Sequence, residues 1–166
     1  MSSSERRAVL AGLAALALGG CFRPMLREDG AARALRHRIA LPQVDGRFDH
    51  YLVRSLEDRL GEPVEPVFRL EVVTEFDERG LAIAQDDAVT RISLVAEAAW
   101  TLWRKGATEP VIADVAVSQS GYSATGSLFA TRMTRRDIEE RLARDLGGRI
   151  ARAILARADE LGEPGG

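Results

Sequence analysis

VTRISLVAEAAWTLW, residues 89–103, is the longest strand pattern in this sequence. Successive side chains of a β-strand point to opposite faces, so the two sets of alternate residues can be compared directly. One set is uniformly apolar and consists of Ile92, Leu94, Ala96, Ala98, Trp100 and Leu102. The other set mixes a few apolar residues with the polar Arg91, Ser93, Glu97 and Thr101. The pattern therefore predicts a long strand whose apolar face meets the helices of the domain.

Shorter strand patterns lie on both sides of this segment. Residues 68–76 alternate apolar and polar side chains, and the polar residues 77–80 that follow predict a turn. Residues 104–107 predict a hairpin turn, and residues 111–118 predict the last strand. The polar, glycine-containing stretch 118–129 is interpreted as an exposed connection or as a frayed continuation of that strand.

Two amphipathic helices are predicted from apolar residues that recur every three or four positions. The first helix spans residues 48–60 and includes Ser55 on its apolar stripe. The second begins at a capping Thr134, and its stripe steps by four through Ile138, Leu142, Leu146, Ile150 and Ile154. Gly147-Gly148 inside this helix costs about 2 kcal/mol relative to two alanines. We expect close packing against the sheet to justify the two glycines.

These elements together predict one α+β domain over residues 36–161. A short strand expected within residues 37–44 comes first, followed by a helix, the antiparallel strands and the long second helix. The predicted architecture is a two-layer sandwich, in which two helices cover one face of one mostly antiparallel sheet of four or five strands. Residues 162–166 are predicted to be a disordered tail.

The N-terminus has the pattern of an export signal. Arg6-Arg7 precede an apolar run over residues 8–20, which is shorter than the roughly 20 residues of a transmembrane helix. Leu18-Gly19-Gly20-Cys21 closes this run and looks like a bacterial lipobox, in which the cysteine accepts a lipid and the leader is removed just before it. The pattern therefore predicts a lipoprotein signal peptide over residues 1–20.

Cysteine usage supports lipidation over the alternative interpretations of this segment. Cys21 is the only cysteine of the chain, so no intramolecular disulfide can form and the thiol is available for lipidation. The alternatives are a plain secretory signal and a core helix, although the glycines of the run are poor helix residues. We predict that Cys21 is lipidated and that residues 21–35 are a lipidated tether to the domain.

Charge, aromatic content and site patterns disfavour several classes of function. The chain has 23 Lys+Arg against 25 Asp+Glu and only 5% aromatic residues, which gives no basis for nucleic acid binding. His37 and His50 have no cysteine or histidine at ligand spacing, so no metal and no other cofactor is expected. Residues 121–126 lack the Gly-x-Ser-x-Gly spacing of a hydrolase, so no catalytic residues and no enzymatic activity are predicted.

Several motifs resemble the lipopolysaccharide-assembly lipoprotein family LptE. Besides the lipobox, they are Cys21-Phe22-Arg23-Pro24, Arg47-Phe48, residues 122–127 and Thr134-Arg135-Arg136-Asp137. The resemblance implies a lipoprotein of the cell outer membrane that plugs the LptD β-barrel and assists its assembly. It further implies lipopolysaccharide as a second partner and a role in lipopolysaccharide transport. Phe22 in the position after the cysteine favours the outer membrane over the inner membrane.

The predicted strands and turns suggest which residues could meet such partners. The partner-facing surface is expected on the polar face of residues 89–103, at Arg91, Ser93, Glu97 and Thr101; the alternative is an ordinary solvated face. Three basic residues at predicted hairpin tips are expected to bind lipopolysaccharide phosphates: Arg79, Arg104 and Lys105. The alternative is that they are ordinary exposed turn residues. The alternative function is a lipid-binding auxiliary lipoprotein of an envelope ABC transporter.

Overall fold

A computed structural model of the chain describes residues 30–83, 89–123 and 127–162. The predicted signal peptide, Cys21 and most of the predicted tail lie outside the described residues. In chain order, the elements are helix α1 Ala31–Leu35, strand β1 Ile39–Ala40, helix α2 Arg47–Leu60, strands β2 Phe68–Ile83, β3 Val89–Arg104 and β4 Pro110–Ser123, and helices α3 Leu128–Ala156 and α4 Ala158–Leu161. Within the described ranges, no helix is both long and apolar enough to cross a membrane.

The described strands form one sheet in the order β1-β2-β3-β4. β1 is parallel to β2, whereas the β2–β3 and β3–β4 pairs are antiparallel. α3 contacts β3, β4 and α2, and Phe48 of α2 meets Phe76 of β2 edge-on with 4.4 Å between the ring centroids. These contacts confirm an α+β sandwich with a mostly antiparallel sheet and helices packed against it. β1 is shorter than the strand expected within residues 37–44, and it ends before Pro42, which has no amide hydrogen to donate.

The core lies between the apolar face of β3 and the stripe of α3. The buried apolar residues of β3 are each at most 2% exposed, and they are Leu94, Ala96, Ala98, Trp100 and Leu102. The buried stripe of α3 is at most 3% exposed and consists of Ile138, Leu142, Leu146, Ile150 and Ile154. Both predicted apolar faces are therefore confirmed.

The turn predicted at residues 77–80 is wrong. β2 continues through it to Ile83, and Arg79 pairs in register with Ser93 of β3. Asp77 and Arg79 lie on the outer face of the strand, where Arg79 Nε donates a hydrogen bond of 2.6 Å to Asp77 Oδ2. Glu78 points to the opposite face and pairs with Arg135 of the long C-terminal helix. The interpretation of residues 118–123 as a strand continuation is confirmed, because β4 extends to Ser123.

The start predicted for the second helix is also wrong. α3 begins at Leu128, and its N-cap is Ser127, whose hydroxyl oxygen accepts a hydrogen bond from the Ala130 amide. Thr134 lies inside the helix, where its Oγ1 donates a bond of 3.0 Å to the Ala130 carbonyl. The first ten residues of the helix are mostly exposed, so they contribute no apolar stripe from which the earlier start could be predicted.

The two glycines of α3 pack against α2 instead of the sheet. A Cβ atom on Gly147 would lie 2.7 Å from the Leu52 carbonyl oxygen and 2.8 Å from Ser55 Cβ. Ser55 Oγ donates a hydrogen bond of 2.7 Å to the Arg144 carbonyl, which links the helices at the same point. The small side chains of Ser55 and Gly147 therefore allow the two backbones to approach closely.

The packed part of the chain includes the end of the segment predicted as a tether. Leu35, the last residue of α1, is fully buried, and α1 contacts both α3 and α4. Leu35 is therefore part of the core, although the domain was predicted to begin at residue 36.

A partly buried hydrogen bond joins α3 to β4. Ser118 Oγ donates to Asp145 Oδ2 at 2.7 Å, and Arg149 Nε donates to the same oxygen at 2.8 Å. Burial of the Asp145 carboxylate raises its pKa, but these two hydrogen bonds and the positive charge of Arg149 outweigh burial. The pKa of Asp145 therefore lies below its ordinary value of 3.8.

This lowered pKa predicts a loss of stability in acid. A carboxyl group with a lower pKa in the folded state stabilises the fold above its ordinary pKa, and this contribution is lost as the pH falls through the folded value. We expect Asp145→Asn to flatten the pH dependence of the free energy of unfolding below about pH 4. Urea unfolding across this range would measure it, with Asp137→Asn at an exposed position of α3 as the control. Equal pH dependence in Asp145→Asn and the unmodified chain would contradict the assignment.

Candidate functional site

The helices pack against one face of the sheet and leave its outer face uncovered in the described part of the chain. The register places Val73, Ala99 and Val115 side by side across β2, β3 and β4. All three are exposed, Val73 by 65% and Val115 by 50%. Val117 on β4 is a further exposed valine beside this row. We call these four residues the outer apolar row; an apolar row of this kind at the centre of a sheet face is a candidate contact surface.

Carboxylates surround the outer apolar row. Glu75 and Glu97 lie directly opposite each other on β2 and β3, and both are exposed. Neither carboxylate forms an ion pair within the part of the chain that the structure describes. On the other side of the row, Glu71 accepts hydrogen bonds from Arg69 and from Trp103 Nε1. Opposed like charges on neighbouring strands are unfavourable, so this face would gain from a partner that brings cations.

The predicted partner-facing residues of β3 differ in their accessibility. Arg91 and Glu97 are exposed and Thr101 is half-buried, so these three can contribute to an outer surface. Ser93 is only 3% exposed, and its hydroxyl oxygen accepts a hydrogen bond of 3.0 Å from Gln119 Nε2. In the register Gln119 of β4 pairs with Val95, and its side chain reaches Ser93 diagonally across the two strands. The prediction of Ser93 as an accessible contact residue is therefore not supported by its environment.

The three cations predicted to bind lipopolysaccharide do not form one cluster. Arg79 lies within β2 opposite Ser93, eleven positions along β3 from Arg104. At about 3.3 Å per residue, this separation is about 36 Å. Arg104 and Lys105 lie together at the turn between β3 and β4, as predicted. We call this the near end of the sheet; the near end also contains β1 and the start of β2.

A cavity of about 290 Å³ opens at the near end. Its walls include Arg104 and Lys105 together with the side chains of Phe68, Arg69 and Trp103. The Arg104 guanidinium donates to the Leu161 carbonyl oxygen of α4 and lies 4.8 Å from the centroid of the Phe68 ring. Arg104 is thus held in place by the fold, whereas Lys105 forms no ion pair among the described residues.

A charged network lies at the opposite end of the sheet, which we call the far end. Arg135 of α3 pairs with Glu78 of β2 at 2.9 Å and with Glu139 at 3.0 Å. Arg47 at the start of α2 lies 3.5 Å from the same Glu139. Burial raises the pKa of the Tyr122 hydroxyl, and the Glu78 carboxylate raises it further. The neutral hydroxyl can therefore hydrogen-bond to Glu78 and join β4 to this network.

The far-end network unites residues from separate sequence motifs. Arg47, Tyr122 and Arg135 come from three of the motifs that carry the resemblance to the LptE family, and the fold brings them within one group of ion pairs. The fourth motif, at Cys21, lies outside the described residues. These residues hold α2, α3, β2 and β4 together, so their arrangement is first of all structural.

The sequence pattern of β4 shows that one side of the strand is apolar but does not show whether that side faces the core or the solvent. Val111, Ala113, Val115 and Val117 alternate along the strand, but the structure buries Ile112, Ala116, Ser118 and Tyr122 instead. The more uniformly apolar side of β4 thus faces away from the core. Among the described residues, no group of histidine, cysteine or carboxylate side chains is arranged to hold a metal ion.

Comparison with known proteins identifies the fold of the chain. No protein-family model and no curated protein sequence matches it. Solved structures do match: a candidate lipoprotein from Caulobacter crescentus has a TM-score of 0.63 at 18% identity, covering 78% of this chain and 96% of that chain. Rare lipoprotein B from Shewanella oneidensis has a TM-score of 0.60 at 11% identity, covering 74% of this chain and 97% of its own. A minor lipoprotein from Acinetobacter baumannii has a TM-score of 0.56 at 14% identity, covering 74% of this chain and 94% of that chain. The chain therefore has the fold of these three proteins, each of which is described as a lipoprotein.

Proposed function

We propose that this chain is an outer-membrane lipoprotein that plugs an LptD-like β-barrel and assists its assembly. Through the barrel it takes part in lipopolysaccharide transport to the outer membrane. The lipobox at Cys21 supports the anchor, and the shared fold with proteins described as lipoproteins supports the class. The single observation that carries the plug role is the uncovered outer face with its apolar row and surrounding carboxylates.

The composition of this face fits the interior of a large barrel. The lumen of outer-membrane barrels is polar, so a plug needs hydrogen bonds and ion pairs together with limited apolar contact. Val73 and Val115 supply the apolar contact, and Glu75 and Glu97, which form no ion pair among the described residues, supply negative charge. We infer that the wall of the barrel facing this surface carries arginine or lysine side chains.

A second candidate function is a lipid-binding auxiliary lipoprotein of an envelope ABC transporter. The observation that favours it is the near-end cavity, whose apolar and cationic walls suit an anionic lipid. At about 290 Å³ the cavity is at the lower limit of small-molecule sites, so it fits a headgroup better than a whole lipid. The two candidates differ in their protein partner and in the membrane that contains it.

Recovery of the partner from separated inner and outer membranes tests the proposal. The affinity-tagged full chain should co-purify with a large β-barrel from the outer membrane. Val73→Arg on the outer face should reduce barrel recovery about tenfold, because a bulky charge replaces an apolar contact and about 1.4 kcal/mol corresponds to a factor of ten. Val64→Arg is the matched control, since Val64 is 63% exposed but lies outside the sheet.

Each other outcome rejects a part of the proposal. Recovery of an inner-membrane ATPase complex without a barrel would favour the second candidate. Equal barrel recovery by Val73→Arg and the unmodified chain would show that the outer face is not the contact surface.

A further inference from the structure

The near-end cavity combines an apolar floor with a cationic rim. Pro66, Phe68 and Trp103 contribute apolar surface, and Arg69, Arg104 and Lys105 contribute three cations. The carboxylate that hydrogen-bonds to this group, within the described ranges, is Glu71, which accepts from Arg69 and Trp103. Among the lining residues and this partner, three cations stand against one carboxylate, so the lining itself carries excess positive charge. A cavity with these properties is suited to a ligand that has a negative group and an attached apolar chain.

The side chains of the cavity are held in position before any ligand binds. Arg104 stacks on the Phe68 ring and donates to the Leu161 carbonyl oxygen. The guanidinium carbon of Arg69 lies 5.7 Å from the centroid of the Trp103 ring, and Trp103 Nε1 donates to Glu71 at 2.8 Å. Each guanidinium has five N–H donors, so both arginines keep donors available for an incoming anion.

Lys105 differs from the two arginines because its ammonium group is free to bind. The Lys105 amide donates a hydrogen bond of 2.8 Å to the Val67 carbonyl, which fixes the backbone at the edge of the cavity. The side chain is exposed and forms no ion pair in the part of the chain that the structure describes. It is therefore the cation best placed to meet a ligand from solution.

The position of the cavity in the fold indicates where its ligand comes from. Ala40 of β1 lines the cavity, and the Val67 amide donates to the Arg38 carbonyl, so the cavity lies beside the first described part of the chain. Gly30 is nine positions after Cys21, which limits the distance from Gly30 to a lipid anchor at Cys21 to about 30 Å. A lipid anchor at Cys21 would thus keep the near end within reach of the membrane that contains the anchor. Tryptophan, arginine and lysine are side chains that favour the membrane–water interface.

We propose that the near-end cavity binds the phosphate headgroup of an anionic phospholipid from the anchoring membrane. Lys105 and Arg69 contact the phosphate, Arg104 closes the site from the α4 side, and the first part of an acyl chain lies against Trp103 and Pro66. This contact adds a second membrane attachment to the acyl anchor, and two attachments hold a protein far longer than one. The inference uses the anchor of the proposed function and does not depend on the barrel partner.

Titration with short-chain lipids tests the site on the full chain in a non-ionic detergent. The probe is dihexanoyl phosphatidylglycerol, and the readout is the fluorescence of Trp103, since Trp100 is buried at 2% exposure. We expect saturable binding, weaker binding of dihexanoyl phosphatidylcholine, and weaker binding of inorganic phosphate because it has no apolar chain. Trp103→Phe should abolish the fluorescence change and identify its source.

Paired variants distinguish a built site from general charge attraction. Lys105→Ala with Arg69→Ala should weaken phosphatidylglycerol binding by about fivefold per cation removed. Arg132→Ala with Arg136→Ala removes the same charge from exposed positions of α3 at the far end, and it should leave binding unchanged. Circular dichroism checks that each double variant is folded, and Lys105→Glu alone, at an exposed turn residue, repeats the test without a change to the sheet.

The outcomes separate this inference from the barrel proposal. Equal weakening by the near-end and far-end pairs, or inorganic phosphate binding as tightly as phosphatidylglycerol, would overturn the phospholipid site. Phospholipid binding without recovery of a barrel would leave this site intact and reject the plug role. Barrel recovery without phospholipid binding would reject this site and leave the plug role intact.

Discussion

Leu146→Ala is expected to lower the free energy of unfolding by about 2–5 kcal/mol, which is a large part of the 5–15 kcal/mol typical of a domain. Leu146 lies in the middle of the α3 stripe and is fully buried. Truncation removes its apolar surface from the core and leaves a cavity among the surrounding buried side chains. Urea unfolding followed by circular dichroism would measure the loss as a lower midpoint with an unchanged slope.

Leu128→Ala is the matched control for this experiment. The same residue type lies on the same helix, but Leu128 is 76% exposed. Its replacement should change the free energy of unfolding by no more than about 0.5 kcal/mol. If the two alanine variants lost equal stability, α3 would not cover the sheet as described.

Gly147→Ala is expected to destabilise the domain, although alanine is the better helix former. The new Cβ would lie 2.7 Å from the Leu52 carbonyl oxygen, and a backbone atom of α2 cannot move aside alone. Forcing the helices apart costs about 1–3 kcal/mol, while the higher helix propensity of alanine returns about 1 kcal/mol. We therefore expect a net loss of up to about 2 kcal/mol in the free energy of unfolding.

Gly148→Ala separates close packing from helix propensity. A Cβ atom at Gly148 would meet the end of the Arg59 side chain at 3.1–3.3 Å, and this flexible group can turn away. The substitution should be neutral or should stabilise the domain by up to about 1 kcal/mol. Comparable losses in both alanine variants would mean that the α2–α3 crossing is not the reason for the paired glycines.

Local periodicity was sufficient to predict the main elements of the fold. The alternation of β3 and the four-residue steps of α3 identify their buried faces correctly, because burial on one side imposes the period of the element on the sequence. The same reasoning failed at residues 77–80 and at Thr134. There, polar composition suggested local ends, but the hydrogen bonds of the neighbouring strand and the cap at Ser127 extend both elements.

The candidate surfaces were less accessible to prediction than the fold. Glu97 and Arg91 are on the outer face as expected, but the burial of Ser93 depends on Gln119 from the next strand. Arg79 and Arg104 were both predicted to lie at hairpin tips. Because β2 continues past residue 80, Arg79 instead lies within the strand, far from Arg104. The near-end cavity is formed by residues from β1, β2 and the β3–β4 turn, and no single stretch of sequence contains its pattern.

The sequence by itself determined the predicted export signal with Cys21, the order of the main strands and helices, and the faces of β3 and α3 that enter the core. Each of these depends on residues within one short segment. The tertiary structure alone decided that Gly147 meets α2, that the valines of β4 face outward, and that Arg69, Arg104 and Lys105 share a cavity. These relations depend on strand register and helix crossing, which bring together residues far apart in the chain.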